Sequence, residues 1–218
     1  GLTANITQAI VPLLQWNTAG NTGNETTEPS SGNDANVTSS NWNYGASTVV
    51  AASNGNRFGG SSWGLSASVD TNKYLQFTLA PAAGYMVTPT SLTFIWDRSS
   101  TGPNTLSLRS SADGYTSNIG TVSVTATSNT TVFSTINISG LTDLVGNTTF
   151  RLYGYGTGTA AGGTGGFDTT TGGTQSNIVL NGYTTLAPPP AIAASGTLSA
   201  LSTVYGTPSS ETSFSVSG

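Results

Sequence analysis

The chain of 218 residues contains no cysteine and no histidine. Without histidine it has no Ser-His-Asp triad, no Cys-His dyad and no imidazole ligand for a metal. Without cysteine it has no thiolate nucleophile, zinc knuckle or disulfide framework. These absences exclude the commonest catalytic and metal sites, and we predict that the protein is not an enzyme.

Charge is the second scarcity, since 6% of the residues are charged, against about 25% in an ordinary soluble domain. Five Lys and Arg residues and a net charge of −4 argue against a nucleic-acid partner. No apolar run approaches the ~20 residues of a membrane helix, so we expect no membrane insertion. A polar, nearly uncharged surface is typical of exported proteins, which predicts a secreted, cell-surface protein.

Strand patterns dominate, and the helical spacing of apolar residues is nearly absent. Short alternating runs separated by Gly, Asn, Asp and Ser clusters predict an all-β fold, a two-sheet antiparallel jelly-roll sandwich. Alternation also assigns faces, for instance Leu92, Phe94 and Trp96 to the core. The strongest runs are residues 9–16, 74–79, 91–96, 105–109, 120–126, 131–138, 148–155 and 176–183, with weaker runs at 47–52 and 61–69.

Two polar stretches, residues 17–40 and 154–173, are predicted as long loops. The chain opens on Gly1-Leu2-Thr3-Ala4 with no charged leader, so we expect a mature product. Pro188-Pro189-Pro190 predicts a stiff spacer. The predicted organisation is an N-terminal strand or extension at 1–12, a jelly-roll sandwich at 13–186, a Pro-rich linker at 187–196, and a partial second β domain or donated strand at 197–218.

Several segments resemble a jelly-roll module, similar to carbohydrate-binding and MAM-like domains, of large exported bacterial surface proteins. The segment 205–210, Tyr-Gly-Thr-Pro-Ser-Ser, resembles the opening of an Ig-like repeat that follows such modules. The resemblance implies the fold and export, and it implies varied roles for the module. The matching segments are residues 13–17, 74–79, 83–85, 91–94, 98–103, 108–114, 149–155 and 177–182.

The first candidate ligand site is an outward face shared by Asp97, Arg109, Arg151, Tyr153 and Tyr155. If their strands lie in one sheet, these side chains form a platform for a sugar, with aromatic rings for its apolar face and planar charged groups for its hydroxyls. The alternative is an ordinary ion pair between Asp97 and one of the arginines on a solvated sheet face.

Trp42 and Trp63, with Tyr44 and Phe58, lie in Gly- and Asn-rich sequence. They are either exposed stacking residues for a polymer or plugs that close the end of a sandwich, and the sequence favours neither.

A structural calcium ion is a third hypothesis, because Glu25, Glu28 and Asp34 offer oxygen ligands within one polar stretch. No EF-hand spacing is present, and no other cofactor is predicted. Paired carboxylates, as in glycosidases, are the weakest hypothesis, since most of the aspartates lie in turn-like sequence.

Two functions of different classes remain open. In the first, the chain is a non-catalytic extracellular structural or adhesive module, a subunit or segment of a surface fibre or matrix. It would assemble with copies of itself or with neighbouring surface proteins through β-strand contacts, using the strand-like segments 1–12 and 198–218. In the second, it is a carbohydrate-binding module that holds a polysaccharide on the arginine and tyrosine face.

Overall fold

The computed structural model describes residues 8–64, 66–125, 132–156, 163–169, 177–189, 193–195, 204–208 and 215–217. Within these residues the chain is all-β, with one short 3-10 turn at Ser111–Asp113 and no α-helix. The strands are β1 (Val11–Trp16), β2 (Thr27–Asn33), β3 (Asn41–Asn43), β4 (Val50–Ala51), β5 (Arg57–Ser61), β6 (Tyr74–Leu79), β7 (Tyr85–Arg98), β8 (Thr105–Ser110), β9 (Gly120–Ser123), β10 (Phe133–Asn137), β11 (Thr148–Tyr155), β12 (Gly165–Asp168), β13 (Ile178–Leu186), β14 (Ala193–Ser195) and β15 (Ser215–Ser217).

Thirteen of these strands form a continuous antiparallel sheet, with the order β4-β5-β12-β7-β13-β1-β2-β3-β6-β11-β8-β9 and with β10 paired to β7. The chain divides into two compact units, residues 1–186 and 187–218. In the second unit β14 pairs with β15, so part of the predicted 187–196 linker is a strand. No helix in the described part of the chain has the length and apolarity needed to cross a bilayer.

One aromatic core joins strands that lie far apart in the sheet order. The ring of Trp42 on β3 lies 4.7 Å from that of Phe167 on β12, and 5.7 Å from that of Trp16 on β1. Strands β12 and β3 are five places apart in the order, so the sheet must curl to bring these rings together. The alternation correctly placed the following residues in the core: Leu75, Phe77, Leu79, Leu92, Phe94, Trp96, Leu106, Leu108, Phe150 and Leu152.

Two segments predicted as loops contain strands. In the 17–40 stretch, β2 pairs with β1 and β3 although only Glu28 among its residues is fully buried. Its backbone ladder, rather than an apolar pattern, makes it a strand. In the 154–173 stretch, β12 is the run Gly165-Gly166-Phe167-Asp168 between β5 and β7. A side chain at Gly166 would crowd the backbone of Gly59 on β5, so glycine permits the close approach.

A buried asparagine joins the ends of several strands near the core. Asn177, just before β13, accepts a hydrogen bond from the Thr18 backbone N–H at 3.0 Å through its Oδ1. Its Nδ2 donates to the Thr18 hydroxyl and to the Asp168 carbonyl oxygen at the end of β12. The Thr18 hydroxyl in turn donates to the Asn56 carbonyl oxygen, just before β5. All of the polar atoms of the Asn177 amide group therefore have partners, as burial requires.

Candidate functional site

The outer surface of strands β6, β11 and β8 carries a cluster of tyrosines and arginines. Its members on β11 project from the side of that strand opposite to the core residues Phe150 and Leu152. The register places Arg151 opposite Arg109 on β8, and Tyr153 opposite Tyr74 on β6. We call this cluster the arginine–tyrosine face, and it consists of Tyr74, Arg109, Tyr115, Arg151, Tyr153 and Tyr155.

Both arginines of the face stack on aromatic rings. The Arg151 guanidinium carbon lies 4.2 Å from the Tyr74 ring centroid and 3.9 Å from that of Tyr115, so the guanidinium is held between two rings. The Arg109 guanidinium lies 5.4 Å from the Tyr153 ring centroid. Such contacts contribute roughly 0.5–1 kcal/mol each at exposed positions. The stacking fixes the orientation of both planar cations.

Hydrogen bonds fix one side of each guanidinium. Arg109 donates through Nε to the Asn118 side-chain oxygen at 2.7 Å, and through Nη1 to the Tyr115 carbonyl oxygen at 3.0 Å. Arg151 donates through Nε to the Gln76 side-chain oxygen at 3.2 Å. The Tyr155 and Thr121 hydroxyls extend the polar surface, and both bond to the buried Ser107 hydroxyl, at 2.9 Å and 2.8 Å respectively.

Tyr115 is a member of the face that the sequence did not predict. It lies after the Ser111–Asp113 turn and has φ = 63°, a left-handed conformation that is uncommon for a tyrosine. Its N–H donates to the Ser110 carbonyl oxygen, and Asp113 accepts hydrogen bonds from Thr116 and Ser117 in the same loop. The loop thus holds the Tyr115 ring over Arg151, and strained tyrosine backbone at a cluster of this kind is a feature of functional sites.

Tyr153 lies within the face but is 1% exposed. Burial raises the pKa of its phenol above the ordinary value, while a hydrogen bond from Arg151 and the charges of both arginines lower it. Tyr74 packs edge-on against Tyr153 with a ring-centroid distance of 5.5 Å, and it is 3% exposed. The tyrosine rings therefore act mainly as supports for the arginines, not as a bare stacking platform.

Asp97 does not belong to this face, which corrects the prediction that it shares a surface with Arg109 and Arg151. It lies on β7, which does not pair with β8 or β11, and its side chain is fully buried. There it forms an ion pair with Arg57 of β5. Asp168 of β12 also approaches Arg57, with 3.5 Å between its Oδ2 and the arginine Nε. The alternative, a solvated ion pair of Asp97 with Arg109 or Arg151, is therefore wrong as well, because Asp97 pairs with Arg57 and is buried.

The carboxyl group of Asp168 beside Arg57 has a raised proton affinity. Burial, together with the hydrogen bond and negative charge of Asp97, raises the pKa of Asp168 to about 7, although Arg57 opposes the shift. A cavity beside Arg57 measures about 10 Å³, enough for about one water molecule. This cavity is too small for a sugar ring. We interpret Arg57, Asp97 and Asp168 as a structural ion triad.

Trp42 and Trp63 are core residues, so neither is an exposed stacking residue for a polymer. Trp42 is 0% exposed and packs 4.6 Å from the Phe77 ring. Trp63 is 4% exposed and its indole N–H donates to the carbonyl oxygens of Gly60 and Gly165. A polymer cannot stack on either ring because both are enclosed by the sheet.

Of the carboxylates proposed for calcium, Asp34 lies apart from Glu25 and Glu28, and all three have other partners. Glu25 accepts hydrogen bonds from the Thr22 and Gly23 backbone N–H groups, and Glu28 is buried and accepts from Asn21. Asp34 follows the far end of β2, and strand β2 spans seven residues, about 23 Å at 3.3 Å per residue. The described residues contain no group of three or more His, Cys, Asp or Glu placed to hold a metal ion.

A groove separates two strand edges elsewhere on the molecule. Strand β9 pairs with β8, strand β10 pairs with β7, and the groove between β9 and β10 has a volume of about 330 Å³. At one end the strands converge, since a side chain at Gly120 would overlap the backbone of Asn137. At the other end Phe133 is 51% exposed. The groove lining is uncharged: Trp96, Val122, Ser123, Val124, Thr125, Val132, Phe133, Ser134 and Thr135.

Comparisons of the chain with models of known protein families, with curated proteins and with solved structures gave no significant match.

Proposed function

We propose that the chain is a non-catalytic structural or adhesive module of an extracellular fibre or matrix, assembled through β-strand contacts. The observation that carries this proposal is the groove between the facing edges of β9 and β10. Val132 and Phe133 in its lining are 70% and 51% exposed, whereas Trp96 and Val124 are already buried. An added strand would pair with an edge of β9 or β10 that has no strand partner among the described residues, and it would bury the exposed side chains, as in β-strand addition.

The segment that we propose as the added strand is residues 2–10 of a neighbouring copy. Its sequence alternates, with Leu2, Ala4, Ile6 and Ile10 on one side of an extended chain. Residues 1–7 lie outside the described part of the structure, and Ile10 is 63% exposed. The segment carries no charged side chain, which matches an uncharged groove. The tail at 198–218 is the second candidate donor from the sequence.

We also propose that the strands form a two-sheet jelly roll. Its support is the set of ring contacts between strands distant in the sheet order, such as Trp42 with Phe167. The extracellular location is likewise a proposal, supported by the low proportion of charged residues, which Gly, Ser, Thr and Asn replace. A nearly uncharged surface weakens the repulsion between copies that a fibre must overcome.

Electron microscopy and sedimentation of the purified protein test this proposal. We expect filaments or large oligomers from the intact chain, and their loss on deletion of residues 1–10 or on the substitution Phe133→Asp. The control is Val145→Asp, which places the same charge at an apolar side chain that is 72% exposed and outside the groove. Assembly that survives both the deletion and Phe133→Asp would rule out the groove as the acceptor.

A second candidate function, a carbohydrate-binding module, is favoured by the arginine–tyrosine face. Four of the five residues predicted for that face from the sequence do lie on neighbouring strands: Arg109, Arg151, Tyr153 and Tyr155. Stacked guanidinium groups and nearby hydroxyls provide donors and acceptors of the kind that sugars require.

A further inference from the structure

The arginine–tyrosine face has an electrostatic arrangement that the fold alone does not require. Arg109 and Arg151 are direct cross-strand partners on β8 and β11, and like charges in this position destabilise a sheet. The ion pairs among the described residues all involve Arg57, so neither arginine of the face has a carboxylate within 4 Å there. Two of the chain's five Lys and Arg residues are thus placed side by side, with no counter-ion among the residues that the structure describes.

The donors of the two guanidinium groups exceed the acceptors that the described residues provide. Each guanidinium carries five N–H donors in a planar arrangement. The hydrogen bonds described above use the Nε of both arginines and one Nη of Arg109, and Tyr153 provides a further partner for Arg151. The remaining donors are held in fixed planes by the rings of Tyr74, Tyr115 and Tyr153. Two oriented guanidinium groups with spare donors match planar carboxylates, which they bind in a bidentate manner.

We propose that the arginine–tyrosine face binds an anionic polysaccharide whose sugar units carry carboxylate groups. This inference rests on the second candidate function and specifies its ligand class. One or two carboxylates of the polymer supply the missing counter-ions of Arg109 and Arg151. Hydroxyl groups of the sugar face the Thr121 and Tyr155 hydroxyls, which the buried Ser107 hydroxyl holds in place by hydrogen bonds to both.

The position of the face within the sheet favours a saccharide over an acidic peptide. Strand β11 pairs with β6 on one side and with β8 on the other, so its backbone groups are already used. An extended peptide therefore cannot add to β11 as a strand and would have to bind through side chains alone. A polysaccharide needs no backbone partner, and a side-chain surface of hydroxyls and guanidinium groups suits it.

Affinity electrophoresis through gels that contain polygalacturonate, neutral dextran or poly-glutamate tests this inference. We expect polygalacturonate to retard the intact protein, with weaker retardation at higher salt. The substitutions Arg109→Gln and Arg151→Gln should each weaken the binding about tenfold or more, because each removes charge-assisted hydrogen bonds. Lys73→Gln, which removes one positive charge outside the face, should leave the binding unchanged. Tyr155→Phe removes a single hydroxyl and supplies a milder variant if an arginine substitution prevents folding, as checked by circular dichroism.

The outcomes separate this inference from the function on which it rests. Retardation by dextran with no preference for polygalacturonate would overturn the anionic ligand and keep the carbohydrate-binding function. The absence of retardation by either polysaccharide would overturn both. Equal loss of binding in Lys73→Gln would show attraction to net charge and overturn the site. Retardation by poly-glutamate alone would identify an acidic protein partner instead.

Discussion

The ion triad of Arg57, Asp97 and Asp168 makes a counter-intuitive prediction, that removing one of its charges stabilises the protein near neutral pH. Burial and the neighbouring Asp97 favour the protonated form of Asp168, although Arg57 opposes this. The substitution Asp168→Asn replaces a protonated carboxyl group with an amide, which has a similar shape and does not ionise. We therefore expect Asp168→Asn to raise the free energy of unfolding above pH 7.

The magnitude follows from the pKa of Asp168, which burial and Asp97 raise from 3.8 to about 7. The folded state binds the proton more tightly than the unfolded chain, so this stabilisation is complete below pH 3.8 and is lost as the pH rises through 7. The total effect is on the order of 4 kcal/mol, at about 1.36 kcal/mol per pKa unit, and on the order of 3 kcal/mol of it is lost between pH 5 and pH 8.

Urea unfolding followed by tryptophan fluorescence at pH values from 5 to 8 measures this effect. The intact protein should lose stability across the window, and Asp168→Asn should lose little. Glu28 leaves a residual dependence of the same sign, because burial raises its pKa. Desolvation raises the pKa of Glu25, but hydrogen bonds from the Thr22 and Gly23 backbones outweigh it, so the pKa is lowered. The effect of Glu25 on stability therefore falls at a more acidic pH than this window.

The matched control is Asp143→Asn, which removes the same charge at an exposed position. Its stability should stay within about 0.5 kcal/mol of the intact protein at every pH. The reasoning is refuted if Asp168→Asn is less stable than the intact protein at pH 8. It is also refuted if the intact protein gains stability between pH 5 and pH 8, because Asp168 would then be an ionised partner of Arg57.

Two further predictions concern the core. The indole N–H of Trp16 donates to the Ser40 carbonyl oxygen at 2.9 Å, whereas that of Trp42 has no partner among the described residues. Trp16→Phe should therefore cost about 1 kcal/mol more in unfolding free energy than Trp42→Phe, and equal costs in urea denaturation would contradict the assignment. Gly182→Ala would place its Cβ against the Thr88 carbonyl oxygen at a β-bulge. We therefore expect the free energy of unfolding to fall by about 1–3 kcal/mol and the melting temperature to decrease. An unchanged melting temperature would contradict this packing.

Alternation of side chains made the regular strands predictable. The bounds of β6 and β11 match the predicted runs 74–79 and 148–155, and Phe77 and Phe150 are buried as expected. Both strands have one apolar and one polar face, so a period of two in the sequence reports the two environments directly. The same alternation placed Arg151 and Arg109 on an outer face.

Where both faces of a strand are enclosed, alternation misleads. The end of β7 buries Trp96 on one face and Asp97 on the other, so the polar residue was wrongly assigned to a surface. Strand β12 is half glycine and strand β2 is almost wholly polar, and their neighbours determine their structure. Tyr115 joins the arginine–tyrosine face from a loop, and no periodic pattern could connect it with Arg151.

The sequence by itself determined the all-β class, the inner residues of the regular strands and the lack of cysteine and histidine chemistry. Those properties depend on composition and on local periodicity, which are present in every short window of the chain. Only the tertiary structure decided that Arg57 pairs with Asp97, that Trp42 and Trp63 are core residues, and that Arg109 and Arg151 face each other. Such pairings depend on strand order and register, which arise from contacts between segments distant in the chain, so no local pattern encodes them.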